Sequence, residues 1–120
     1  MPRTHSIATV AESIKPKTYL SIGPRKSVTV TKAKPTITVG TNSYFSVSGD
    51  GTNPKVKLTA GKENGHILLI ECSLAPGFIM VDHIDHKTLL AGNRTMKGGD
   101  TMLLVYSGLR WVEISYSKNH

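Results

Sequence analysis

Asp82-His83-Ile84-Asp85-His86 places two imidazoles and two carboxylates within five residues, the most conspicuous group of metal-ligating side chains in the sequence. Held in a loop, such a set could bind a divalent cation. Run out as a strand, it would turn Asp82, Ile84 and His86 to one face and His83 and Asp85 to the other. No cysteine or second histidine pair stands at a supporting spacing, and metal ligands normally come with such company. The run is therefore read as a solvated polar loop or a subunit contact. No metal is assigned to Asp82, His83, Asp85 or His86.

Nucleophilic chemistry has parts but no arrangement. Cys72, five histidines and many serines are present, yet no glycine-flanked nucleophile turn and no Gly-rich phosphate loop before a helix organises them. Helix signals are nearly absent. The best candidate, Thr9 to Lys15, is too short to stand alone and ends at Pro16, so a phosphate-cradling helix N-terminus is missing as well. No catalytic residue and no cofactor are assigned, and the chain is expected not to be an enzyme. Cys72, the single cysteine, lies in the apolar run Ile67-Leu68-Leu69-Ile70-Glu71-Cys72 and reads as a buried, inert thiol, with no partner for an internal disulfide. Trp111, the only tryptophan, reads as a core or interface anchor rather than a sugar-stacking platform, with Tyr106 and Phe78 as companion anchors.

The elements that would carry these residues are strands. Ser27 to Thr31, Thr36 to Val39, Tyr44 to Ser48 and Lys55 to Thr59 alternate polar with apolar side chains, as half-buried strands do. His66 to Cys72 is a longer apolar run suited to a central strand, broken at Ala75-Pro76-Gly77 and resumed from Phe78 to Val81. Lys87 to Leu90 follows, then turns at Ala91-Gly92-Asn93 and Lys97-Gly98-Gly99-Asp100, then a hairpin of Thr101 to Tyr106 and Arg110 to Tyr116. Short strands parted by turn residues predict an all-β fold, an antiparallel sandwich or jelly-roll-like body.

The first part of the chain differs. Met1 to Pro35 carries Arg3, Lys15, Lys17, Arg25, Lys26, Lys32 and Lys34 against Glu12 alone, a net +6 of the +7 for the whole chain. Four of the six prolines fall there too, and proline removes the ladder donors of an internal strand. Two units are therefore expected: an extended basic arm over residues 1–35 and a compact β domain over 36–120. At ~3.3 Å per residue such an arm could reach on the order of 100 Å, and it would need a partner surface to offset its ordering entropy. The charge suits an acidic protein surface or, less well, nucleic acid. Tyr19 is the arm's only aromatic, whereas single-strand binding interleaves aromatics with basic residues. No stretch approaches the roughly 18 apolar residues of a membrane span, and the start lacks a secretion signal, so synthesis in the cytoplasm is expected.

Leu89-Leu90-Ala91-Gly92-Asn93-Arg94-Thr95-Met96-Lys97-Gly98-Gly99-Asp100-Thr101 with Met102 to Tyr106, followed by Gly108 and Trp111-Val112-Glu113-Ile114-Ser115, resembles the C-terminal β hairpins of tailed-bacteriophage virion proteins. Leu58-Thr59-Ala60-Gly61 and Asn64-Gly65 have the same style. The resemblance covers about half the chain. It implies a homotrimeric, β-rich accessory protein on the capsid surface of a virion. A capsid decoration (cement) protein, its arm laid across major capsid protein subunits, is expected before a tail-fibre or tail-tip β domain.

Overall fold

The computed structural model describes residues 21–73 and 76–120. Ten strands follow in chain order: β1 (Lys26–Thr29), β2 (Thr36–Ile37), β3 (Tyr44–Ser48), β4 (Lys55–Leu58), β5 (Ile67–Cys72), β6 (Phe78–Met80), β7 (Thr88–Leu89), β8 (Arg94–Met96), β9 (Thr101–Tyr106) and β10 (Trp111–Ser117). A 3-10 turn, Ile84–His86, precedes β7. Among the described residues no helix is long and apolar enough to cross a membrane. The all-β expectation holds.

The arrangement within that class is a coil rather than a sandwich of hairpins. From β1 to β9 successive strands alternate between two sheets, so the chain winds between two layers, and β10 then stays in the larger sheet beside β9. The larger sheet has the order β1-β3-β5-β9-β10-β7 and the smaller β2-β4-β6-β8. Pairing of β1 with β3, β3 with β5, β2 with β4 and β4 with β6 is parallel. One coil advances 19 residues from Lys26 to Phe45, and the next 25 from Tyr44 to Leu69. Antiparallel pairing, expected throughout, is confined to β6–β8, β5–β9 and β9–β10, which close the last coil. The physical reason is that alternation with a period of two fixes which face a side chain takes but not the direction of its neighbouring strand.

The core lies between the sheets and is built by that alternation. In β3, Phe45 and Val47 point inward; in β4, Val56 and Leu58; in β5, Leu68, Ile70 and Cys72. Where coils stack at a corner the backbones touch. A Cβ on Gly49 would fall on the Gly77 carbonyl oxygen, and one on Gly77 on that of Met96. Only glycine permits so close an approach.

Within the described part of the 1–35 segment, residues 26–30 join this body. β1 pairs with β3 along its length, and Val30 is fully buried in the core. Pro24 and Pro35 flank the strands instead of interrupting them, and the Pro35 carbonyl accepts the Lys57 N–H at 3.0 Å. The described part of the segment thus enters the sheet at Lys26. Arg3, Lys15 and Lys17 lie outside the described residues.

Candidate docking surface

The outer face of the smaller sheet is cationic because β4 reads Lys-Val-Lys-Leu. Val56 and Leu58 go to the core, which turns Lys55 and Lys57 to solvent. Thr36 stands beside Lys57 in the register, and Ile79 beside Lys55 and Thr95. An open groove of about 450 Å³ runs along this edge, walled by Lys32, Lys55 and Lys57 with Pro35, Pro54 and Ile84. Lys34 is exposed on the same β1–β2 connection, where its N–H donates to the Thr31 hydroxyl at 2.9 Å. Two carboxylates stand near. Asp85 pairs with Lys57 at 3.1 Å across an exposed contact. Asp50 is tied by the Thr52 hydroxyl and N–H, which hold its carboxyl below the ordinary range. Four lysines against two carboxylates leave the region positive. Of the remaining predicted arm residues, Arg25 pairs with Glu71 at 3.3 Å on the border of the other sheet, and Lys26 is exposed on β1.

A second basic groove, of about 400 Å³, lies at the far end of the body and includes Arg94, Lys97, Lys118 and His120 in its walls. Two carboxylates anchor it from beneath. Glu113, with its side chain 9% exposed, takes Arg94 in a two-toothed contact at 2.9 and 3.3 Å and spans the two sheets. The same guanidinium lies 4.5 Å from the centre of the Tyr116 ring. Asp100 is fully buried and accepts hydrogen bonds from the N–H groups of Lys97, Asn119 and His120 and from the His120 ring at 2.6 Å. Burial pushes this carboxyl up, but the bonds from Lys97, Asn119 and His120 outweigh it and hold it below the ordinary carboxylate range. Sequence reasoning did not single out Arg94, Asp100, Glu113 or Tyr116 as a network. The only sequence signal was an aspartate closing the Gly98-Gly99 turn.

The other candidates resolve into structural parts. Asp82 accepts the Leu90 N–H at 2.8 Å while Asp85 turns to Lys57, so the two carboxylates of the Asp82–His86 run point to different partners. His83 stands 3.7 Å from Asp82. Buried Thr88 fixes the loop by donating to the Val81 carbonyl at 2.6 Å and accepting the Ile84 N–H at 3.1 Å. Among the described residues no three His, Cys, Asp or Glu side chains gather as metal ligands would. Cys72 is buried, and burial followed by the charges of Asp100 and Glu71 pushes its thiol up to about 11.

Trp111 is fully buried and donates its indole N–H to the Thr59 carbonyl at 2.9 Å. Its ring meets Tyr106 at 5.0 Å and, edge-on, His66 at 5.3 Å. His66 accepts the Lys62 N–H at Nδ1 (2.9 Å), which leaves Nε2 as the donor to the Asn42 carbonyl at 2.8 Å. Both ring nitrogens are thereby engaged, closing the β4–β5 connection on itself and tying it to the β2–β3 connection. Phe78 is also fully buried, and Tyr106 is half-buried against the core.

No protein-family model, curated protein or solved structure matches this chain.

Proposed function

We propose that this chain is a virion structural protein that works by binding other protein subunits. The specific reading is a capsid decoration (cement) protein, a homotrimer on the capsid surface that stabilises the head by lying across major capsid protein subunits. It would be assembled in the host cytoplasm and act without cofactor or catalysis. The observation that carries this reading is the concentration of Lys32, Lys34, Lys55 and Lys57 around one open groove on the outer face of the smaller sheet. Such a surface is suited to an acidic protein partner. It suits single-stranded nucleic acid less well, because among the described residues no aromatic side chain lines the groove for bases to stack on.

A tail-fibre or tail-tip β domain is the second reading, and the parallel stacking of coils favours it. Coils that contact only their neighbours build elongated bodies by simple addition.

Replacing Lys32, Lys34, Lys55 and Lys57 together with glutamine tests the docking surface. Exposed pairs contribute about 0.2–1 kcal/mol each, so the four changes should weaken attachment to capsids roughly tenfold or more at low salt, and less as salt rises. Equal binding by the variant at all salt concentrations would refute the reading. A steep, salt-sensitive shift of generic DNA, abolished by the same changes, would move the assignment to nucleic acid.

A further inference from the structure

The outer face of the larger sheet has a composition that the described residues do not explain. A sheet with one face in water alternates apolar and polar residues, whereas a strand covered on both faces reads as a continuous apolar run. β3 and β4 alternate in this way, with Tyr44, Ser46 and Ser48 outward in β3 and lysine outward in β4. β5 opens Ile-Leu-Leu-Ile, β9 reads Met-Leu-Leu-Val after its first residue, and β10 opens Trp-Val. These strands and β7 are consecutive in the sheet order β5-β9-β10-β7. Their inward side chains make the core. Their outward ones line up across the register: Leu89 beside Val112, Val112 beside Val105, Val105 beside Ile67. A second row sets Leu103 beside Leu69 and Leu69 beside Tyr44. Leu89 is 38% exposed, and Ile114, at the bulge of β10, is 52% exposed.

We infer that this face is where copies of the chain pack on one another, with the larger sheets turned toward a shared axis. Charge selects the occupant. The chain carries a formal +7, and two copies meeting through the lysine-rich face would be repelled. The apolar rows contain no charged side chain. The carboxylate of Glu71 lies beyond them toward Arg25, which pairs with it at 3.3 Å. A neutral apolar face is complementary to itself, as an interface between identical chains requires. The inference concerns the face opposite the docking surface and does not depend on which acidic partner that surface meets.

Sedimentation of the full chain at micromolar concentration tests it. The wild type should run as a closed oligomer, at three times the 13.0 kDa chain mass if the trimer reading holds. Leu103→Lys and Leu69→Lys place a charge in the centre of the face and should raise the assembly midpoint at least about 100-fold, leaving monomer. Thr95→Lys, on the other sheet, should leave assembly unchanged. Trp111 emission reports whether each variant is folded. Should the lysine variants not fold, the uncharged pair Val105→Thr and Val112→Thr should still weaken association about tenfold or more. A wild-type monomer, whether residues 1–20 or a different protein covers the face, would overturn the inference. So would an oligomer indifferent to the folded variants. The glutamine variant of the docking lysines should remain assembled, which separates this inference from the capsid reading.

Discussion

Replacing Asp100 with asparagine should be among the most damaging isosteric changes in the body. The carboxylate is fully buried and divides its acceptors: Oδ1 takes the N–H groups of Asn119 and His120, and Oδ2 takes the Lys97 N–H and the His120 ring. An amide can preserve the first set but sets its NH₂ against the Lys97 N–H, donor against donor, and replaces the charge-assisted bond from the His120 ring by a neutral one that requires the other tautomer. Hydrogen bonds to a charged group contribute about 1.5–3 kcal/mol each, and two within one network are not additive, which gives about 3 kcal/mol in total. For a domain of this size that corresponds to a fall of roughly 12 °C in melting temperature. Acid supplies an independent readout. Because the folded carboxyl is held below its ordinary value, its contribution is complete above about pH 4. As pH falls further the unfolded chain takes up its proton first, so the contribution is lost down through the folded pKa. Thermal melts followed by circular dichroism from pH 7 to pH 3 should show the wild type losing stability over that window and Asp100→Asn lacking that component. A variant melting within about 2 °C of wild type at pH 7, with an unchanged acid slope, would refute the reasoning.

Trp111→Phe removes the donor to the carbonyl of half-buried Thr59 and should cost about 1 kcal/mol or more, or roughly 4 °C; a shift under 2 °C would show that the indole hydrogen bond contributes little. Cys72, buried and with its thiol pushed up to about 11, should resist iodoacetamide at pH 8 in the folded protein and react once denaturant is added; rapid modification of the native form would contradict the burial. A chelator should leave the melting temperature unchanged, since Asp82 and Asp85 are directed to Leu90 and Lys57; a fall of several degrees would reinstate the Asp82–His86 run as a metal site.

Strand positions were legible in the residues, and strand directions were not. Tyr44 to Ser48 and Lys55 to Leu58 announce themselves by alternation, and the structure places strands there. The same alternation serves parallel and antiparallel neighbours equally. The coils differ in length and carry no repeated motif, so nothing in the spacing declared a coil. Pro24 and Pro35 argued for an arm, although Ser27-Val28-Thr29-Val30 between them has a strand pattern. The pattern prevailed over residues 26–30, because both prolines sit outside β1 and β2. The lysines of β4 were visible only as half of an alternation, and their meeting with Lys32 depends on the coil that brings the β1–β2 connection alongside. The Arg94–Glu113 pair joins different sheets across 19 residues and was beyond any local pattern.

We propose that this chain stabilises an assembly by binding to it. Adding the purified full-length protein to expanded capsids that lack it, and then measuring their resistance to heat, tests that claim most directly. Saturable binding with a raised disruption temperature, weakened by salt and by loss of Lys32, Lys34, Lys55 and Lys57, is the predicted result. Capsids that neither bind the protein nor gain heat resistance would contradict it.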